Sequence, residues 1–129
     1  MSTTPEPPVS LVVPADMSYV RLARLVVSSL AADLRFTFEQ IEDLRIATDE
    51  LLSALITSSV PGTPVHIGLT VTGTVIALRA RALATGAVQL DPLAAQIVAT
   101  TVATFSVSID ADHAIVELRS HAPEPAPVA

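Results

Sequence analysis

Residues 37–82 read TFEQIEDLRIATDELLSALITSSVPGTPVHIGLTVTGTVIALRARA, and within them the spacing of apolar side chains changes from a helical period to a period of two. Stepped at 100° per residue, Ile41, Leu44, Thr48, Leu51, Leu52 and Leu55 fall on one stripe, while Glu39, Asp43, Glu50 and Ser53 lie opposite with Ile46 and Ala54. This predicts an amphipathic helix over 38–58. Thr37, with Gln40 three residues on, opens it as a capping box, in which each side chain accepts from the other residue's backbone N–H. Five acidic residues, Glu39, Glu42, Asp43, Asp49 and Glu50, crowd into this helix, and Arg45 is spaced to pair with Glu42 or Asp49. Past the Pro61-Gly62-Thr63-Pro64 turn, Val65, Ile67, Leu69 and Val71 alternate with His66, Gly68 and Thr70. After Thr72-Gly73, Ile76, Leu78, Ala80 and Ala82 alternate with Ala77, Arg79 and Arg81, so the two runs form a hairpin with one apolar face.

The flanking segments repeat these patterns. Upstream, 10–13 reads as a short strand closed by Pro14, and Asp16 caps a helix over 17–34. That helix carries Val20, Leu22, Leu25, Val26, Val27 and Leu30 on most of its sides, with Arg21 and Arg24 near its start, and is expected to be largely buried. Downstream, a loop at Thr85-Gly86 leads to Asp91-Pro92, a cap followed by proline at the first helical position, and a third helix to about residue 104. Phe105, Val107 and Ile109, then Ala114, Val116 and Leu118, form a second hairpin joined across 110–113. Every hairpin strand is apolar on one side only, the pattern of a sheet covered by helices on one face. The fold class is therefore α/β: a two-layer sandwich with a mostly antiparallel sheet of about five strands and three helices on one face.

Composition bounds the rest. The chain has 129 residues, of which 50% are hydrophobic and 16% charged, the makeup of one compact domain. Six of the ten prolines lie at the ends, so 1–8 and 121–129 read as disordered proline-rich tails around a single domain at 9–120. Absence of cysteine removes disulfides and thiol chemistry. His66, His113 and His121 have no metal-ligand spacing, and no serine has a triad partner in a recognisable turn, so no metal and no nucleophile is assigned. All seven cations are arginines on a chain of net charge −6, which argues against nucleic acid as partner. Glycines and prolines break the uncharged run 51–78 too often for a bilayer span, and no signal peptide opens the chain, so a cytoplasmic location is expected.

Leu11-Val12-Val13-Pro14-Ala15, the run Val20 to Arg24, and Asp43 to Ala54 resemble the anti-sigma-factor serine/threonine kinases, members of the GHKL ATPase superfamily shared by gyrase and histidine kinases. The resemblance is strongest over 9–60, and the order of elements carries it to about 119. It implies the two-layer histidine-kinase-like ATPase fold already reached from the patterns. It also implies that Glu50 stands where the family's general base stands, followed one turn later by an asparagine that holds magnesium. Here that position is Ala54, whose methyl group offers a hard cation no oxygen, and the chain contains no asparagine at all. The family's adenine-binding D-x-G-x-G falls on Arg81-Ala82-Leu83-Ala84-Thr85-Gly86-Ala87, without an aspartate. Its glycine-rich phosphate turn falls on Leu90-Asp91-Pro92-Leu93-Ala94, without a glycine.

These departures lead to an expectation of no catalytic residue, no cofactor and no bound metal, with Glu50 inactive. A lone glutamate on an acidic helix is most simply a solvated charge. The expected activity is that of an anti-sigma-like regulator that binds a sigma factor or its antagonist without ATP. Two other readings are an ATP-dependent kinase with rebuilt metal ligands and a non-catalytic subunit paired with an active homologue; homodimer and heterodimer both stay open. The family's first helix is implied to meet protein partners, which makes Arg24, at the matching position, and Arg21 beside it candidate partner-binding residues, with the acidic Glu39 and Asp43 as a second surface.

Overall fold

The computed structural model describes residues 9–122 and consists of five strands, three α-helices and one short 3-10 turn. The strands are β1 (Val9–Pro14), β2 (Pro64–Thr72), β3 (Val75–Leu83), β4 (Thr104–Asp110) and β5 (His113–His121). The helices are α1 (Val20–Asp33), α2 (Phe38–Thr57) and α3 (Pro92–Thr101). The sheet order is β1-β2-β3-β5-β4, and every neighbouring pair is antiparallel. Helix number follows from strand direction: two helices return the chain to the end of the sheet from which antiparallel β2 can run beside β1. A single helix after β3 turns it once, so β4 runs with β3 and β5 fits between them.

Of the expected tails, 1–8 and all of 121–129 but its first two residues lie outside the described residues. At the C-terminal boundary β5 runs through His121, and Ala122 is buried, so the ordered strand passes residue 120. No helix among the described residues is long and apolar enough to cross a membrane.

Alternation decides which face of the sheet the helices cover. Val13, Val65, Ala82 and Ala114 are cross-strand partners in one row, and Leu69, Leu78, Leu118 and Phe105 in another. They join one core with the buried Leu44, Ala47, Thr48, Leu51, Leu52, Leu55 and Ile56 of α2, which packs chiefly over β3 and β5. Thr48 is fully buried, and its hydroxyl donates to the Leu44 carbonyl at 2.8 Å, so it leaves no stranded donor in the core. The capping box at Thr37 and Gln40 is present, with both side-chain bonds formed.

Three local expectations change. The 17–34 helix begins as a 3-10 turn at Met17–Tyr19 under the Asp16 cap, and only then becomes α1. Helix α1 is also not largely buried. Its buried seam is Val20, Ala23, Val27 and Ala31, while Leu25 is 66% exposed. The seam packs on α2, Leu22, Val26 and Leu30 beside it are partly buried against the core, and Arg21, Leu25 and Ser29 face water. The third helix stops at Thr101 rather than near 104, since Thr104 already belongs to β4.

Helix α1 ends without the glycine that usually marks such an end. Arg35 takes φ 62°, with its N–H donating to the Ala32 carbonyl and that of Phe36 to the Ala31 carbonyl, a Schellman pair. Buried Phe36 closes the motif. In the hairpins, Gly73 (φ 60°) and Ala111 (φ 55°) take the left-handed position of the turn.

Three outcomes follow for stability. Leu44→Ala or Leu55→Ala should cost about 2–5 kcal/mol in chemical denaturation, against about 0.5 kcal/mol or less for Leu25→Ala. Arg35→Gly should raise stability by about 1 kcal/mol, because glycine relieves the left-handed strain. The Ser18 backbone N–H and hydroxyl donate to Asp16 and hold its carboxyl below the ordinary value of 3.8. The cap is thus in place above that value and is lost as pH falls through the lowered one; a carboxyl titration followed by NMR should find the Asp16 midpoint below 3.8.

Candidate functional site

Helices α1 and α2 bring Arg24 to Asp49, with Arg24 Nε 3.6 Å from Asp49 Oδ1. This distance is an ion pair, too long for a hydrogen bond, so the guanidinium is held by charge rather than by direction. Both side chains keep a third or more of their surface in water. Asp49 is therefore spent on the neighbouring helix, and Arg45 pairs with Glu42 at 2.7 Å instead. Arg21 is exposed one turn before Arg24, on the same side of α1 as exposed Leu25, with Met17 and Tyr19 just ahead. The first helix thus presents an outer face that combines cations with uncovered apolar side chains.

The remaining candidate residues lie elsewhere on α2. Asp43 is six residues before Asp49, about 9 Å along the helix axis, so it belongs to a separate region. It lines a hollow of about 230 Å³ with Gln40, Thr101, Ser120 and His121, where α2 begins, α3 ends and β5 runs out. Glu39 is exposed in the first turn. The structure does not gather Arg24 and Arg21 with Glu39 and Asp43 into one site.

Glu50 and Ala54 are half-buried neighbours on successive turns of α2. Below them the C-terminal end of α2 is stitched to the end of β3. The Val60 N–H donates to the Leu83 carbonyl at 2.9 Å, the Thr85 N–H to the Ser58 carbonyl at 2.9 Å, and Ser59 forms a bridge with Ala84. The Thr85 hydroxyl adds a second bond to the same Ser58 carbonyl. Segment 81–87, where the sequence resemblance would put an adenine-binding aspartate, is thus part of a backbone clasp. At the start of α3, Asp91 Oδ1 accepts from the Ala94 N–H at 2.8 Å, so the helix is capped by its own carboxylate.

The residues at the positions that the sequence resemblance would assign to a magnesium nucleotide do not supply its contacts. Ala54 supplies no oxygen, and at α3 a carboxylate occupies the N–H group and the positive dipole end that a phosphate needs. The larger of the two hollows described lies on the opposite side of the sheet, across β1, β2, β3 and β5, with a volume of about 700 Å³. It is lined by His66, Arg79, Arg81, Glu117 and Arg119. Sequence reading placed His66, Arg79 and Arg81 on the polar side of the first hairpin without joining them to Glu117 and Arg119, because that grouping depends on strand order.

No protein-family model matches the chain, and no curated protein matches it. Among solved structures, the chain is similar to the crystal structure of the RsbU and RsbW domains of Rv1364c from Mycobacterium tuberculosis, with a TM-score of 0.66 at 15% sequence identity. The match covers 95% of this chain and 35% of that one, so the chain spans about a third of the length of the structure it resembles. The likeness is one of fold, and it agrees with the layer of three helices on five antiparallel strands.

Two substitutions test the site geometry. Glu50→Gln should change stability by no more than about 0.5 kcal/mol in urea denaturation, as for other partly solvated helix positions. Breaking the Arg24 pair through Asp49→Ala should cost no more than about 1 kcal/mol, and less at high salt.

Proposed function

We propose that this protein is an anti-sigma-factor-like regulator that holds a protein partner, a sigma factor or the antagonist of one, without using ATP. The observation that carries the proposal is a fold kept whole in which the positions for metal, adenine and phosphate hold Ala54, a backbone clasp at 84–85, and the Asp91 cap. The sequence resemblance to anti-sigma kinases and the fold likeness to a structure containing an RsbW domain both support this direction. A domain that binds without turnover acts by occupancy: while it is bound, the partner's covered surface is closed to competitors.

Helix α1 supplies the contact surface in this reading. Arg24 is charged, only loosely held by Asp49, and adjacent to exposed Leu25. A partner carboxylate aligned with the planar guanidinium gains two directional bonds that Asp49, at 3.6 Å, does not make. Exchange of Asp49 for a partner acid is then favourable without reshaping the helix. Arg21 adds a second cation one turn away.

Affinity purification from the native cell, with identification of the bound proteins, tests the proposal directly; a sigma factor or an anti-sigma antagonist is the expected prey. Arg24→Ala should keep the circular-dichroism spectrum and lose about 1–2 kcal/mol of affinity for that prey, and Arg24→Glu should lose more. A folded Arg24→Glu protein that binds at full strength would move the contact to the acidic surface at Glu39 and Asp43. Magnesium ATP should leave the melting temperature unchanged. Binding at 100 times the dissociation constant would add about 2.7 kcal/mol, so a saturable magnesium-dependent shift would establish the kinase reading instead.

A further inference from the structure

The face of the sheet turned away from the helices is the positive side of an acidic protein. Helix α2 alone carries five carboxylates against one arginine. On the open face the sheet carries Arg79, Arg81 and Arg119 against Glu117 and, at the far end of the edge strand β4, Asp110. Glu117 is directly opposite Arg79 and bound to it, with Arg79 Nε 3.0 Å from its Oε1. Among the described residues, Arg81 and Arg119 are exposed and form no ion pair. They flank that pair on rows one step to either side, so the two uncommitted guanidiniums border the hollow of about 700 Å³. His66 stands opposite Arg81, and Val12, 57% exposed, stands opposite His66. Cation and apolar surface therefore share a concave floor.

We infer that this open face is a second docking surface, and that its occupant is an acidic segment of a partner protein. The inference rests on the proposed function for the existence of a protein partner, and adds to it where and by what chemistry a second contact is made. Charge complementarity selects the occupant. A second copy docking by the same face would bring Arg81 and Arg119 against like charges. A nucleic-acid backbone carries about one charge per 1.7 Å of duplex axis and would need more cations than two, on a chain whose net charge of −6 repels it at long range. A polypeptide with carboxylates spaced by apolar residues matches both the arginines and the uncovered Val12. Arginine suits the role, because its weakly hydrated planar fork pairs with a carboxylate at modest desolvation cost.

The test is an NMR titration of the full chain, at about 20 mM salt so that surface charges are little screened, with a twelve-residue capped peptide that repeats Glu-Glu-Leu. Saturable amide shifts confined to β1, β2, β3 and β5 are expected, with affinity at least tenfold weaker in Arg81→Glu/Arg119→Glu and unchanged in Arg35→Glu. Three results would overturn the inference: no saturable shift; equal binding by inorganic phosphate or tighter binding by a single-stranded RNA of twelve nucleotides; or salt-sensitive self-association abolished by the same double variant, which would make the occupant another copy. A peptide that binds while the native-cell purification yields no sigma factor or antagonist would fault the proposed function and leave this surface intact. The reverse pair of results would fault the surface alone.

Discussion

The buried stripe of α2 is the constraint on which the other elements depend. Leu44, Leu51, Leu52 and Leu55 are almost wholly removed from water, and each such side chain contributes about 1.5–3 kcal/mol of transfer free energy. To bury them the helix must lie on the apolar face of β3 and β5, with α1 and α3 on its flanks. Once α2 lies there, its acids are forced outward and sideways, which is why Asp49 meets Arg24 of α1 and Asp43 reaches the ends of α3 and β5. The charge pattern of the helical layer is a consequence of packing.

Apart from Thr48, the core consists mainly of aliphatic side chains and alanines, with Phe36 the one buried aromatic among the described residues. Alanines at 80, 82 and 114 on the sheet and at 23, 31 and 47 on the helices allow close approach but supply little area. The molecule compensates with backbone ties at one end of the sheet: Ala15 with Thr63 and Gly62, Val60 with Leu83, Ala84 with Asp112. Two of them, at Leu83 and Ala84, fall in the segment where the resemblance implies an adenine-binding motif. Under the proposed function this region serves to close the fold, and side chains on the outer faces of α1 and of the sheet take up binding.

A fold and the chemistry carried on it draw on different residues. The resemblance rests on packing positions such as Leu44, Leu51 and Leu52, whose replacement would cost stability, and on Glu50 beside them. Positions that serve only a ligand, such as that of Ala54, carry no packing penalty when they change. A two-layer sandwich can therefore keep its element order while its polar loops become turns, caps and clasps. Under the proposed function the start of α3 is one such case: Asp91 accepts from the Ala94 N–H, at the helix end that a phosphate would use.

The sequence by itself determined the elements and the two faces of each strand, because periods of 3.6 and 2 are local properties that solvent reads directly. The capping box at Thr37 and Gln40, the hairpin at Gly73 and the helix start at Asp91-Pro92 were legible for the same reason. What only the tertiary structure decided was which apolar residues stay uncovered and which charges meet. Leu25 and Val27 are equally apolar, yet the α1 seam takes Val27 and leaves Leu25 in water, since burial depends on the distance to α2. The left-handed turn at Arg35 had no glycine to announce it; buried Phe36 and two backbone bonds hold it there. Arg81 and Arg119 are 38 positions apart and come to flank the Arg79–Glu117 pair on the open face only because β5 inserts beside β3, ahead of β4. Strand order is set by the global economy of burying one apolar face, and no local pattern encodes it.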